Sequence, residues 1–429
     1  MIIADFCCPK AVQDAGICGP APHGSSRMKV KVATIVLIAA VLLTSFSGCT
    51  RPKKKGGLDY NKQLPPGQLA LRKITDPNEL PDFTAACSDL TRLREAIQRS
   101  ASYMAKPSSK AFYPYGEVTH QQVQQTLAAF EELIDSGMTP EQMNEHIRTN
   151  YDCYISVGCD DMGTVLYTGY YTPIFNGSLQ RTERFKYPLY SVPEDLVKGP
   201  DGTILGKRNA DGSFTQYASR SDIENSGALA GKEIIWLEDK FEVYIAHVQG
   251  SAKIRLPDGT LQGIGYNANN GWDYSSVSRQ LIAEGKLTQE QLSLKGMIEY
   301  FKAHPDEVDT YVNQNPRFVF FQFEKGDPRG SLNEPVTPFR TIATDKAIYP
   351  RASIAMVQAD LEPSIGWTCD QDTGGAIRAA GRCDIYMGIG DQAGELAGRT
   401  YKEGKLYYIF LKPGANTSPA ATDQASSNQ

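Results

Sequence analysis

The sequence predicts an α+β protein, mainly β with peripheral helices, in which one domain is interrupted by another. Three observations carry this. Helical stripes come first, from Ser88 to a last helix opening at Thr139. From Val165 to about Asn270 the pattern is short β runs broken by glycine and asparagine. Helices then return at Val277, and a last β region runs from Arg317 to Leu411.

The opening helices are read from apolar spacing and caps. Leu90, Leu93, Ile97 and Tyr103 form one stripe of a helix expected over Ser88 to Met104. Thr119-His120-Gln121-Gln122 opens a second, through Ile134, stopped by Gly137. Thr139-Pro140-Glu141-Gln142 opens a third with proline at its first helical position. In the β region, Val165 to Pro173, Leu189 to Val192, Ile234 to Leu237 and Glu242 to Gln249 read as strands, and Pro257 to Thr260 as a hairpin turn. Gly265 to Trp272 reads as an amide-rich loop, suited to sugar hydroxyls and equally to an ordinary turn. The expected division is 85–172 and 275–413 for the interrupted domain and 173–274 for the insert. No internal repeat of fixed period is present.

A chain of 429 residues is long enough for two domains. Its formal charge of -5 lacks the basic face that nucleic acid requires. No Walker loop, dinucleotide fingerprint or zinc spacing occurs, so neither cofactor nor metal is expected. Tyrosine is abundant, with 22 residues against 16 phenylalanines, and its apolar face and polar tip suit carbohydrate.

The N-terminus differs from the rest. Met28-Lys29-Val30-Lys31 is a basic start, Val32 to Phe46 is apolar, and Ser47-Gly48-Cys49 closes the run, which is the order of a secretory signal. The run is shorter than the roughly 20 residues of a membrane span. Small residues before Cys49 resemble the lipobox of bacterial lipoproteins, which implies a lipidated Cys49, an anchor of several acyl chains and a true start at Met28. Thr50 after that cysteine leans to the outer membrane, facing the periplasm. Residues 50–84 read as a linker whose first part, through Lys53-Lys54-Lys55 and Pro65-Pro66-Gly67, cannot bury a core, and 414–429 as a disordered tail.

An exported chain meets an oxidising compartment. Beyond Cys49 the cysteines are Cys87, Cys153, Cys159, Cys369 and Cys383, an odd number. Bridges between Cys369 and Cys383 and between Cys153 and Cys159 are expected on spacing.

The densest chemistry lies in Asp370-Gln371-Asp372-Thr373-Gly374-Gly375-Ala376-Ile377 and Gly381 to Asp391. Glycine permits tight turns beside Asp372 and Asp384, so both carboxylates could face a groove. The same pattern also makes plain Asp-capped turns.

Asp372-Thr373-Gly374-Gly375-Ala376-Ile377 with Asp384-Ile385-Tyr386-Met387-Gly388 resembles the 3D domain, named for its aspartates. Gly169 to Pro173, Val248 to Ala252, Gly265-Tyr266-Asn267 and Asn315 to Phe321 resemble the other blocks of the membrane-bound lytic murein transglycosylase A family, in its order, over about Cys87 to Lys412. The N-terminal extension and the cysteines around the acidic stretch are not part of that pattern. The resemblance implies a double-psi β-barrel interrupted by a second, smaller β-barrel, with peptidoglycan glycan strands bound between them. It implies cleavage of the β-1,4 bond between N-acetylmuramic acid and N-acetylglucosamine without water, the muramyl C6 hydroxyl attacking to leave a 1,6-anhydro ring.

By motif position, Asp384 is implied as catalytic acid and base and Asp372 as its close neighbour. One carboxyl suffices if it protonates the leaving oxygen and then takes the proton of the attacking hydroxyl. The second carboxylate of ordinary glycosidases has no water or covalent bond to manage here. An aspartic acid that donates near neutral pH must hold its proton well above the free value of about 3.9, through burial or a like charge. Tyr170, Tyr171 and Thr172 are expected to wall the groove. Gln249, Gly250 and Ser251 are expected to bond the glycan, and Asn267 and Asn270 to contact it from the loop. A two-carboxylate hydrolase and a non-catalytic wall-binding lipoprotein remain as alternatives.

Overall fold

The structure, a computed structural model, describes residues 57–199, 203–288 and 294–415. The expected signal segment, Met28, Cys49 and the tail beyond Ala415 lie outside them.

The first elements are β1 (Leu71–Lys73), α1 (Thr84–Cys87), α2 (Leu93–Ala105), α3 (His120–Asp135), α4 (Pro140–Asn150), β2 (Tyr151–Ser156) and β3 (Val165–Thr172). There follow β4 (Ile174–Ser178), β5 (Tyr187–Tyr190), β6 (Leu196–Lys198), β7 (Ile204–Arg208), β8 (Phe214–Thr215), α5 (Arg220–Ser226), β9 (Glu233–Leu237), α6 (Lys240–Gln249), β10 (Ser251–Arg255) and β11 (Leu261–Asn269). The rest is α7 (Val277–Ala283), α8 (Leu294–Ala303), α9 (Val308–Val312), β12 (Val319–Glu324), β13 (Thr341–Ala343), β14 (Ile354–Ala359), β15 (Trp367–Asp372), β16 (Arg382–Ile389), α10 (Asp391–Arg399) and β17 (Tyr401–Leu411).

Six strands close on themselves in the order β17-β14-β15-β13-β16-β3, with β3 returning to β17. Closure leaves no free edge within this ring of six. The pairs β13–β15 and β16–β3 are parallel, and β2 and β1 extend the sheet from β17. This is the barrel that the family resemblance implies. Helices cover its outside. α4 starts on the reciprocal Thr139–Gln142 cap with Pro140. α3 buries Val123, Leu127, Phe130 and Leu133, each side chain contributing roughly 1.5–3 kcal/mol. Phe130 and Phe83 pack on Trp367 of β15, with ring centroids 5.0 and 5.4 Å apart. The helix expected from Ser88 begins later, at Leu93, because Arg92 before it takes a left-handed conformation.

The second sheet runs β12-β11-β10-β4-β9-β5 and lies in the same compact unit. It curls around α6 until its ends meet, the rings of Tyr190 and Phe318 being 6.2 Å apart. Glu242 to Gln249, expected as a strand, is therefore part of helix α6. Its residues from Val243 to Val248 are all buried, so the apolar run shows no helical period to the sequence. The ends decide it: Asp239 accepts from the N–H groups of Phe241 and Glu242, and Gly250 closes the helix at φ 77°. The loop expected over Gly265 to Trp272 is also corrected. Strand β11 continues to Asn269 through a bulge between Tyr266 and Ala268. The expected boundary at 274 cuts the second sheet from its last strand, because β12 pairs with β11.

The five cysteines are buried and unbonded. β13 lies between β15 and β16, so the strands bearing Cys369 and Cys383 are not neighbours. Cys153 packs into the main core, whereas Cys159 packs with Tyr60 and Leu166 in a separate cluster. Neither expected bridge forms.

Candidate active site

A groove of about 650 Å³ opens between the closed barrel and the second sheet. Strand register sets the two aspartates side by side on the barrel, but only Asp372 lines the groove. Ala343 of β13 pairs with Asp372 of β15 on one flank and with Asp384 of β16 on the other. The carboxyl-bearing residues thus stand at one level, two strand spacings or roughly 10 Å apart at their backbones. β16 and β3 run parallel, with Thr168 beside Asp384 and Tyr170 beside Tyr386. Side chains two residues apart share a face. Asp384 therefore lies one layer below Tyr386, which lines the groove. It is 1% exposed and accepts a hydrogen bond from the Thr168 hydroxyl.

Asp372 reaches the groove itself. A bulge in β15 opposite Ile342 and Ala343 leaves Gln371 as the extra residue. Gln371 turns outward and donates to Ala96 O (2.7 Å) and Ser100 Oγ (3.0 Å) of α2. Asp370 stays inside, against Lys346, Thr344 and Tyr408. Asp372 accepts from Tyr170 OH (2.7 Å), Ser331 N–H (2.8 Å) and its neighbour Thr373 N–H (2.8 Å). The loop approaches this closely because residue 330 is glycine: a Cβ there would sit 2.9 Å from Gln371 O and 3.1 Å from Asp372 Cγ.

Burial pushes the Asp372 carboxyl above the ordinary range, against the pull of those three hydrogen bonds. The folded protein then holds that proton more readily than the unfolded chain. Its contribution to stability is full below the unfolded value and is lost as pH rises through the folded one. Asp372→Asn is expected to make the decline of melting temperature from acid to neutral pH shallower. Thermal unfolding across that range checks it; an unchanged slope would show that this carboxyl does not titrate there.

Of the other expected residues, Tyr170, Thr172, Gln249, Gly250, Ser251 and Asn267 line the groove. Thr172 Oγ1 lies 3.0 Å from Tyr386 OH and 3.4 Å from Ser251 Oγ, linking barrel to insert. The Oε1 of Gln249 is buried without a partner among the described residues. Asn267 Oδ1 accepts from Lys198 Nζ at 3.3 Å. Two expectations are corrected. Tyr171 alternates to the opposite face of β3, where its ring lies over Gly394 of α10. Asn270 is a strut: it donates to Ala218 O (2.9 Å) and Pro316 O (2.8 Å) and accepts from Phe318 N–H (2.8 Å).

Sequence reasoning missed His247, Tyr386, Ser331 and the groove arginines. His247 is buried on α6 and lines the groove. Its Nδ1 accepts from Val319 N–H (3.1 Å) and faces Arg220 Nη2 (3.1 Å), so the ring proton belongs on Nε2. That atom has no partner among the described residues. Burial and Arg220 hold the ring neutral, well below the usual histidine range. The signal that could have found it was Asp239 and Gly250, bracketing one helix. Tyr386 stood in the quoted acidic block, without a role.

Residues 166–322 match the MltA specific insert domain, and residues 340–410 match the 3D domain. Together with the groove they define a class: a 3D-domain β-barrel protein with an MltA-specific insert. The membrane-bound lytic murein transglycosylase A of Escherichia coli strain K12 is 29% identical over 300 residues, covering 67% of this chain and 76% of that one. The crystal structure of the membrane-bound lytic murein transglycosylase from Agrobacterium tumefaciens superposes with a TM-score of 0.67 at 27% identity, over 80% of this chain and 98% of that one. That of Escherichia coli MltA with bound chitohexaose shares the fold, with a TM-score of 0.62 at 23% identity, over 83% of this chain and 98% of that one. The chain belongs to the membrane-bound lytic murein transglycosylase A family and carries its 3D domain.

Proposed function

We propose that this protein is a peptidoglycan lytic transglycosylase of the cell envelope, cleaving between N-acetylmuramic acid and N-acetylglucosamine to leave 1,6-anhydromuramyl ends. The observation that carries it is the pair Asp372 and Asp384 flanking Ala343, Asp372 lining the groove and Asp384 buried one layer beneath its Tyr386. The family relation and the chitohexaose bound by one relative support a glycan in that groove.

In this reading Asp384 gives its proton to the glycosidic oxygen as the bond from the muramyl C1 breaks. The muramyl C6 hydroxyl then bonds to C1, and its proton returns to Asp384. Asp372 orients Tyr170 and is placed on the groove wall to meet charge developing on the sugar ring. Gln249 and Ser251 offer polar groups to the glycan from the opposite side. The names of the relatives support attachment to a membrane, which we assign to a lipidated Cys49 in the outer membrane, facing the periplasm.

Mass spectrometry of digested sacculi tests the reaction. Muropeptides ending in an anhydro ring are expected. Reducing ends in their place would make the protein a two-carboxylate hydrolase, and intact sacculi a binding protein.

A further inference from the structure

The groove differs in charge from the chain that forms it. The protein carries a formal charge of -5, yet the groove is lined by Arg317, Arg329, Arg351 and Arg378 against only Asp372 and Glu324 as carboxylates. Burial raises both of those carboxyls above the ordinary range. Arg329 is engaged: it donates to Asn333 O at 2.7 Å and offsets Glu324. Among the described residues the Arg317 guanidinium makes one hydrogen bond, to Trp272 O at 3.0 Å. Arg351 lies over the ring of Phe112, 3.8 Å from its centroid, with its Nε buried and unpartnered among the described residues. The guanidinium of Arg378 is exposed and makes no hydrogen bond among the described residues. Among those residues no ion pair engages Arg317, Arg351 or Arg378.

Arg317 comes from the second sheet, just before β12, and Arg378 from the barrel segment that follows Asp372. Burial, joined by the charge of Arg378 and opposed by Tyr266 and Asp273, holds the Arg317 guanidinium below the ordinary range. Two cations thus line one groove from opposite walls, and among the described residues neither is held in an ion pair. A neutral polysaccharide gives no reason for such an arrangement. An anion does: guanidinium forks bind carboxylates through paired charge-assisted hydrogen bonds.

We propose that Arg317 and Arg378 form a carboxylate-binding site in the groove, which takes an acidic group borne by the muramyl residues of the glycan. This rests on the peptidoglycan reading above. The shared chemistry is a carboxylate beside a sugar, from either the lactyl ether or the attached peptide. The site therefore selects muramyl-containing strands over an uncharged chitin-like chain.

The test measures affinity of the full chain carrying Asp384→Asn, so that strands stay intact. Three probes are used: peptide-bearing glycan strands, strands stripped of peptide that keep the lactyl carboxylate, and chitohexaose. Arg378→Gln combined with Arg317→Gln is expected to weaken binding of carboxylated strands about tenfold, the worth of one charged hydrogen bond. Chitohexaose affinity should stay unchanged, and high salt should narrow the gap between probes. Equal losses on both strands assign the lactyl group; a loss confined to peptide-bearing strands assigns the peptide. Unchanged affinity for both strands, or an equal loss for chitohexaose, overturns the proposal. Arg378→Gln alone, at an exposed position, gives the same reading should the double variant fold poorly. Whether the wild-type protein releases anhydro-muropeptides is read separately, so failure of the enzymatic reading is distinct from failure of this one.

Discussion

Asp384→Asn is expected to lower the rate of anhydro-muropeptide release by about a thousandfold, within the range a general acid–base group contributes. Asparagine keeps the shape of aspartate, and its amide oxygen still accepts the hydrogen bond of Thr168. The buried layer under Tyr386 should therefore stand, and the melting temperature should change little. What disappears is the proton delivered to the leaving oxygen, which is needed only in the transition state. Such a loss lowers kcat with little change in KM. Asp372→Asn should cost less, because its neighbours can still be bonded by an amide. The comparison is direct, since the two residues stand on either side of one alanine. An unaltered rate in Asp384→Asn beside an inactive Asp372→Asn would move the acid to the groove wall.

The second large effect concerns stability. Lys346 and Asp370 form an ion pair inside the barrel, their side chains 5% and 0% exposed. Asp370 also accepts from Thr344 Oγ1 (2.7 Å) and Tyr408 OH (2.8 Å). Burial raises the Asp370 carboxyl and lowers the Lys346 ammonium, each opposed by the charge of the other. Lys346→Met leaves a buried carboxyl without its cation and is expected to cost about 3–5 kcal/mol at neutral pH. A group whose folded value is raised loses its contribution as pH rises, so the deficit should shrink in acid, where the carboxyl takes a proton. Urea unfolding at acid and neutral pH measures this. Adding Asp370→Asn should recover much of the loss, because an amide needs no counter-charge. A deficit independent of pH would show that lost packing, rather than an unpaired charge, is responsible. Asp370 lies two residues from Asp372 on β15, so the same variant should also reduce cleavage by displacing the bulge that aims Asp372 at the groove.

Much of the barrel was legible because its signals are local. Capping residues at Thr139 and Gln142, apolar spacing in α3 and dense β runs at the C-terminal end declare themselves within a dozen residues. The acidic block was legible for the same reason. α6 was not, since a helix buried on all sides presents the same unbroken apolar run as a buried strand. Tyr171 and Asn270 looked equivalent to their neighbours in sequence. Strand alternation and three backbone contacts then sent them away from the groove.

By itself the sequence determined that two aspartates, a β-rich interrupted chain and blocks resembling a murein-cleaving family belong to one molecule. Only the tertiary structure decided that Asp372 faces the groove, that Asp384 lies beneath Tyr386, and that Arg317 and Arg378 line the groove from opposite walls. The physical reason is distance along the chain. Register across Ala343, the extra residue at Gln371 and the curl of the second sheet each join segments far apart in sequence, and such pairings arise only when the barrel closes.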